Sequence, residues 1–315
     1  MSATTHGRAE DHSTRPLRYI TTDVFTDQRF GGNQLAVVPD ARGLTDEQML
    51  AITRDFNYSE STFVLPPGSA EESCRVRIFT PGGEVPFAGH PTVGTAIVLT
   101  SIGALPITGD ETRVILGEKV GPVPVIVRST DGRPHSARLT VARLPTEELP
   151  AADPSAIASV LSLQDEDLLG GEYEPRVASC GLPFLIVPVR SRDAVARARV
   201  NLDRWERTLR GTTGSEIMVF AMDAEAPDAD VRARVFVPGL SVPEDPATGS
   251  ACAALGGYLA ARTPRSGALR WVVEQGVEMG RPSRIEVEAE KSGEAITAVH
   301  VGGSAVLVCE GEMRV

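Results

Sequence analysis

Cysteine is scarce in this sequence, and the cysteines that occur lie far apart without any CxxC pair. Their spacing indicates neither a disulfide framework nor a zinc knuckle, and it favours a reducing compartment. Long apolar runs are also missing: no uncharged apolar stretch reaches the ~18 residues of a membrane span, and the N-terminal segment has no apolar signal core. We therefore expect a cytoplasmic protein with no membrane segment.

Basic residues are in short supply, with 31 Lys and Arg against 42 Asp and Glu and a formal charge of −11. This balance opposes binding to nucleic acid or to an anionic membrane, so small molecules or other proteins are the expected partners. Aromatic residues make up only 5% of the 315 residues, whereas 30 Gly and 23 Pro predict many turns between short strands.

Several chemical motifs are absent as well. The chain contains no GxGxxG, no P-loop and no GxSxG, so nucleotide-dependent chemistry and a hydrolase elbow lack support. His135 and His300 lack metal-ligand spacing, and we expect no metal site and no cofactor. The remaining possibility is acid/base chemistry carried out by side chains without a cofactor.

Local patterns predict short strands and two kinds of helix. Residues 1–17 are polar and should form a disordered tail with two solvated histidines, His6 and His12. Thr45 and Gln48 form a capping box at the start of an amphipathic helix. Residues 92–105 are apolar nearly all round, which predicts a helix buried on every side, with Pro91 at its first position.

An internal repeat is the most informative feature of the sequence. The segment 79–86 (FTPGGEVP) matches 236–243 (FVPGLSVP) 157 residues later, and 90–96 (HPTVGTA) matches 245–251 (DPATGSA) 155 residues later. Ser59-Glu60 likewise matches Ser215-Glu216. These offsets are about half the chain length, so they predict two copies of one α/β unit joined in tandem.

The repeat suggests where chemistry could lie. Each copy places an ionisable residue and Pro at the start of a buried helix, with His90 in one copy and Asp245 in the other. Helix starts attract anions, and two such starts could face one another across a cleft. Glu60, desolvated in that cleft, could accept a carbon-bound proton. Structural explanations stay open: His90 and Asp245 could be helix caps, Ser250 could satisfy backbone groups, and a glutamate that begins a strand is usually solvated.

These segments resemble one family of enzymes. The motifs that carry the resemblance occur in order from about Tyr19 to the C-terminus and are 23–27 (DVFTD), 30–38 (FGGNQLAVV), 57–64 (NYSESTFV), 87–96 (FAGHPTVGTA), 244–251 (EDPATGSA), 274–276 (EQG) and 280–283 (GRPS). Together they are similar to the PhzF-like phenazine-biosynthesis family.

The resemblance implies the diaminopimelate-epimerase-like fold, an α+β architecture of two pseudo-symmetric lobes, each a β-barrel-like sheet around a central helix. The active site would lie between the lobes, and the last strand would return to the first lobe. We expect residues 18–130 with 296–315 to form the first lobe and 131–295 the second. Members of the family are commonly homodimers.

The resemblance also implies a cofactor-free isomerase similar to the trans-2,3-dihydro-3-hydroxyanthranilate isomerase of phenazine synthesis. Glu60 would be the acid/base, and His90 and Asp245 would position the substrate. Ser250, with the N–H groups near Gly89 and Gly249, would hold a small carboxylate.

Two alternatives remain open at this point. One is a binding protein that keeps the cleft without turnover, and the other is an epimerase or racemase of the same fold. The cysteine-dependent members of this fold carry a Cys at the start of each central helix. This chain has Gly89-His90 and Glu244-Asp245 there, and Cys252 lies further along, so a two-thiol mechanism lacks its nucleophiles.

Overall fold

The computed structural model describes residues 16–240 and 242–315. The predicted tail, with His6 and His12, therefore lies almost entirely outside the described residues. Pro16 and Leu17, which we had placed in the tail, already belong to the first strand, where Leu17 is buried.

The first half of the chain alternates strands with two helices. In order, it contains β1 (Pro16–Val24), β2 (Asn33–Val38), α1 (Asp46–Phe56), β3 (Glu60–Leu65), β4 (Cys74–Thr80), β5 (Gly83–Val85), α2 (Gly89–Ser101), β6 (Glu111–Glu118), β7 (Gly121–Thr130) and β8 (Arg133–Thr140).

The second half repeats this plan with additional short helices on its outer face. It contains β9 (Thr146–Glu148), α3 (Pro154–Val160), β10 (Arg176–Ser179), β11 (Pro183–Pro188), α4 (Arg192–Arg197), α5 (Leu202–Thr208), β12 (Ile217–Ala221), β13 (Val231–Val237), β14 (Val242–Asp245), α6 (Gly249–Ala261), β15 (Gly267–Gln275), β16 (Ser283–Ser292) and β17 (Ala295–Arg314).

The first lobe is a closed barrel around α2. Pairing runs through β1, β2, β3, β4, β6, β7, β8 and β17, and β17 returns to β1. Helix α2 fills the barrel, and every residue from Gly89 to Thr100 is buried. This confirms the prediction of a helix that is apolar on all sides, because a helix inside a barrel has no face to present to water.

The second lobe repeats the strand order around α6. Strands β2 and β3 pair in parallel, and so do β11 and β12. Cys74 of β4 pairs with Leu116 of β6 in the first lobe, and Val231 of β13 pairs with Val273 of β15 in the second. Both residues of the second pair lie 157 positions after their counterparts in the first. The predicted duplication is thus visible in the hydrogen-bond register, and the fold is the predicted α+β arrangement of two lobes.

Strand β17 joins the two lobes. Residues 295–302 pair with β16 of the second lobe, and residues 305–314 pair with β1 of the first. Strand β8 pairs with β7 and β17, so the first barrel includes residues 133–140. The sequence-based boundary after residue 130 had given this strand to the second lobe, because a sequence pattern does not show which neighbour a strand pairs with.

The central helices begin at different points from those predicted. Helix α2 starts at Gly89, so Pro91 is its third residue and not its first. The first four N–H groups of a helix lack intrahelical partners, so proline is tolerated there too. Helix α6 starts at Gly249, 160 residues after Gly89. The structural counterpart of His90 is therefore Ser250, and the sequence match of His90 with Asp245 was out of register.

The predicted capping box is confirmed. Thr45 and Gln48 form the capping box of α1. Asp153 caps α3, with Pro154 as its first residue. In the described part of the chain, no helix is both long enough and apolar enough to cross a membrane.

The C-terminus of α6 is held by a buried lysine. The Nζ atom of Lys291 donates to the carbonyl of Ala260 at 3.1 Å and to that of Thr263 at 2.6 Å. A cation is favourable at this end of a helix, and burial strengthens the interaction.

Replacing this lysine should destabilise the second lobe. Because Lys291→Met leaves two carbonyls without a charged donor, we expect it to lower the free energy of unfolding by about 2 kcal/mol. Chemical denaturation measures the effect. Lys119→Met, at the only other lysine, is the control, because Lys119 is exposed and should lose less than about 0.5 kcal/mol. Equal losses in the two variants would contradict the assignment.

Candidate active site between the lobes

The two central helices meet at their first residues. A Cβ atom added to Gly89 would lie 3.1 Å from the Cα atom of Gly249, and one added to Gly249 would lie 3.3 Å from the Cα atom of Gly89. Such reciprocal contacts are what a pseudo-two-fold axis between the lobes produces. Neither helix start has a side-chain cap. Two positive helix ends therefore converge at the junction of the lobes.

Glu60 lies beside this junction at the first position of β3. Its Oε2 atom is 3.6 Å from the Nε2 atom of His90, the second residue of α2. Both atoms are buried, and within the described chain neither has a hydrogen-bond partner. Buried polar atoms without partners are uncommon, and they mark a place where a ligand could supply them.

Burial keeps both members of this pair neutral. Together with the nearby charge of Asp245, it raises the pKa of Glu60 to about 8. It lowers the pKa of His90 to about 3. At neutral pH the two side chains therefore face each other as a carboxylic acid and a neutral imidazole, and they do not form an ion pair.

Asp245 reaches the same place from the other lobe. It is the last residue of β14 and is buried. Its Oδ1 accepts a hydrogen bond from Nδ2 of Asn33 at 2.9 Å, and its Oδ2 accepts one from the Thr248 hydroxyl at 2.5 Å. The N-cap of α6 is Thr248, so Asp245 is not the helix cap that its sequence position suggested.

The carboxyls of Glu60 and Asp245 are unequal in acidity. Burial raises the pKa of Asp245 to about 6, opposed by hydrogen bonds from Thr248 and Asn33. Glu60, with fewer donors, has the higher pKa. Two neighbouring carboxyls that hold one proton between them are a recurrent way to obtain an acid and a base in one site.

Asn33 connects the two lobes, although sequence reasoning gave it no role. Its Nδ2 atom also donates to the carbonyl of Ala247 at 3.0 Å and lies 3.3 Å from Nδ1 of His90, while its Oδ1 accepts from the Ser59 hydroxyl. Asn33 is the first residue of β2. Its position beside two adjacent glycines was the available signal.

Gln275 supports the second helix start and was also missed. Its Oε1 accepts from the backbone N–H of Thr248 at 3.1 Å, and its Nε2 donates to the carbonyl of Asp245 at 2.7 Å. Gln275 therefore fixes the segment that carries Asp245. Its only sequence signal was the EQG motif at the end of a strand.

Ser250 lies in the first turn of α6, as predicted, and is partly exposed. Within the described residues its hydroxyl has no hydrogen-bond partner. The structure thus brings Glu60, His90, Asp245, Ser250, Gly89 and Gly249 into one region. It leaves their roles in the reaction to be tested.

Cys252 is unsuited to thiol chemistry. It is the fourth residue of α6, is fully buried, and has its Sγ atom 4.0 Å from Oε1 of Gln275. Burial and the charge of Asp245 raise the pKa of its thiol. The raised pKa keeps the thiol protonated, and a protonated thiol is a poor nucleophile.

The sequence matches the model of one protein family over residues 22–311, and that family is described as phenazine biosynthesis-like proteins of the PhzC-PhzF type. The chain belongs to the PhzF family. It is 39% identical to an uncharacterised isomerase of Mesorhizobium japonicum, over 94% of this chain and 98% of the relative. It is 34% identical to the trans-2,3-dihydro-3-hydroxyanthranilate isomerase of Pseudomonas aeruginosa, over 93% and 98%.

Solved structures agree with this membership. A PhzF-family protein of Bacillus anthracis superposes with a TM-score of 0.85 at 26% identity, covering 95% of this chain and 99% of the other. A hydroxyproline epimerase of Agrobacterium vitis, at 14% identity and a TM-score of 0.61 over 96% and 93%, shares the fold alone. The fold is thus the epimerase-like one, and this PhzF-family chain is an isomerase.

Glu216, the repeat counterpart of Glu60, lies in a different environment. Its Oε1 accepts from the hydroxyl of Ser215 and lies against Gly239. Burial raises its pKa as well, but no imidazole faces it among the described residues. The duplication therefore gives two buried carboxyls, of which one, Glu60, faces the helix junction.

Among the described residues, one group of donor atoms has a spacing that could suit a metal, and it lies on β16 and β17. Glu288, Glu290 and His300 have ligand atoms within 4.8 Å of one another on β16 and β17. Arg138 and Arg270 already bind the carboxylate of Glu288. Because these two cations compete with a metal, we assign no metal site to this cluster.

The contact between the helix starts should be sensitive to one methyl group. Because Gly89→Ala forces the backbone of Gly249 away, we expect it to lower the free energy of unfolding by about 1–3 kcal/mol, measured by chemical denaturation. Gly109→Ala is the control, since open space surrounds Gly109. If both variants unfold like the wild type, the helix starts are not in close contact.

Proposed function

We propose that this isomerase works without a cofactor and moves a proton between carbon atoms of a small substrate that bears a carboxylate, with Glu60 as the general acid/base. The observation that carries the proposal is the pair of Glu60 and His90, whose facing oxygen and nitrogen atoms are buried and lack partners among the described residues. These two atoms are where a substrate can complete the hydrogen bonding.

Glu60 has the properties that a proton shuttle needs. Its pKa of about 8 is close to neutral pH, so the group can both accept and release a proton there. As a carboxylate it would take a proton from a substrate carbon. As the resulting acid it would return that proton to another carbon, and the protonation state of the enzyme would be unchanged.

His90 and Asp245 act as positioning groups in this proposal. The neutral imidazole offers its free Nε2 to a polar group of the substrate. Asp245 stays ionised to a lower pH than Glu60 because Thr248 and Asn33 donate hydrogen bonds to its carboxylate. That charge opposes ionisation of Glu60 and keeps its proton affinity high.

The substrate carboxylate would bind at the helix junction. The first turns of α2 and α6 present N–H groups without side-chain caps, and the Ser250 hydroxyl is free to donate. Helix starts stabilise anions and the enolate-like charge that develops when a carbon loses its proton. This local field would offset the acidic net charge of the chain. The homodimer and the cytoplasmic location stay predictions.

The Pseudomonas relative suggests a test substrate. Its name specifies trans-2,3-dihydro-3-hydroxyanthranilate, a cyclic unsaturated acid. That compound, like a related acid, presents a carboxylate that the helix junction would bind and a carbon-bound proton that Glu60 would remove.

Removal of the acid/base should abolish proton transfer. We expect Glu60→Gln to lower the rate of solvent deuterium incorporation into trans-2,3-dihydro-3-hydroxyanthranilate, or into a related acid that the wild type turns over, by ~10²–10⁴-fold. Glu216→Gln is the matched control, since it makes the same change at the repeat-related carboxyl. It should retain the wild-type rate. Equal rates in wild type and Glu60→Gln would remove Glu60 from this role.

A further inference from the structure

A second buried carboxyl lies behind the first helix start. Glu118 ends β6 and is 6% exposed. Its Oε1 is 2.6 Å from the hydroxyl oxygen of Thr92, the fourth residue of α2, while its Oε2 has no partner among the described residues. No step of the proposed reaction uses this group.

Glu118 has a counterpart in the other lobe. Gln275 lies 157 residues later, which is the offset that relates the flanking strands. Gln275 holds the N-cap of α6 through the backbone and hydroxyl of Thr248. The first lobe thus places a carboxyl where the second lobe places an amide.

The hydrogen bonds of Thr92 indicate which form Glu118 takes. The Thr92 hydroxyl oxygen is also 2.7 Å from the carbonyl oxygen of Ala88, the N-cap of α2. A hydroxyl has one proton, and a carbonyl oxygen cannot donate. Two separate two-centre hydrogen bonds at these distances require that Thr92 donates to Ala88 and that the Glu118 carboxyl donates to Thr92.

The surroundings of Glu118 favour this neutral form. Among the described residues, the titratable group that interacts with it is the thiol of Cys74 on the neighbouring strand β4. This group is not a cation. Burial raises the pKa of Glu118 to about 8, so the carboxyl is largely protonated at neutral pH.

We propose that Glu118 is a positioning residue, which donates a hydrogen bond to Thr92 and so fixes the first turn of α2 and the place of His90. It is the first lobe's equivalent of Gln275: a protonated carboxyl donates to a threonine hydroxyl at a helix start, as the Gln275 amide does in the second lobe. The placement of His90 for the reaction rests on the proposed function, whereas the hydrogen bond between Glu118 and Thr92 does not.

The activity test compares isosteric and truncated side chains. Glu118→Gln keeps a donor to Thr92 and should hold the deuterium incorporation rate within about twofold of the wild type. Glu118→Ala leaves Thr92 without that donor and should lower the rate about tenfold. Thr92→Val should lower it to a similar extent, and the double variant should lose no more than either single one.

Thr100→Val is the matched control for Thr92→Val. The Thr100 hydroxyl is buried in the same helix and bonds the carbonyl four residues earlier, but no carboxyl contacts it. It should keep the wild-type rate. An equal loss in Thr92→Val and Thr100→Val, or additive losses in the double variant, would overturn the proposal.

A second measurement reports on Glu118 without any substrate. A carboxyl whose pKa is higher in the folded than in the unfolded protein contributes stability at low pH that is lost as the pH rises towards the folded value. Between the ordinary range of glutamate and about pH 8, the wild type should therefore lose unfolding free energy relative to Glu118→Gln.

Glu111→Gln is the control for this measurement, because it makes the same change at the exposed end of the same strand and should show no such pH-dependent difference. If wild type and Glu118→Gln keep a constant difference across this range, Glu118 is not protonated in the folded protein. This readout stands even if Glu60 proves not to be the acid/base, so the two proposals fail separately.

Discussion

The close contact between the first residues of the two central helices determines the surroundings of Glu60 and His90. Gly89 and Gly249 allow the helix starts to approach within van der Waals distance, which a side chain on either would prevent. That approach aligns two positive helix ends and excludes water from the groups between them. The raised pKa of Glu60 and the lowered pKa of His90 both follow from this loss of water.

The duplication explains the shared scaffold of the two lobes, and differences between the two copies explain which groups lie at the site. The lobes share strand order and register, yet equivalent positions carry different groups: His90 corresponds to Ser250, and Glu118 corresponds to Gln275. A symmetric site would have paired identical groups. The proposed proton transfer needs one protonated group and one charged group, and the unequal environments of Glu60 and Asp245 would provide them.

The sequence predicted the two lobes, the buried helices and the cluster of candidate residues, because apolar helices and repeat offsets are local patterns. The predicted register of the second helix was wrong. The chance agreement of HPTVGTA with DPATGSA concealed three extra residues between the end of β13 and the start of α6. Asn33 and Gln275 were missed for another reason. Asn33 matters through hydrogen bonds between the lobes, and Gln275 through hydrogen bonds between separate segments of the second lobe. No spacing within one segment reveals which distant group an amide will meet.

Burial and the charge of Asp245 together hold Glu60 as an acid near neutral pH. Titration of the glutamate side-chain carboxyls by carbon-13 NMR, with Glu60→Gln used to assign the signal, measures this pKa. Glu60 should titrate at about pH 8, and Asp245→Asn should move its titration to lower pH. A Glu60 that titrates in the ordinary range of glutamate, or that is unaffected by Asp245→Asn, would contradict this role of burial and of Asp245.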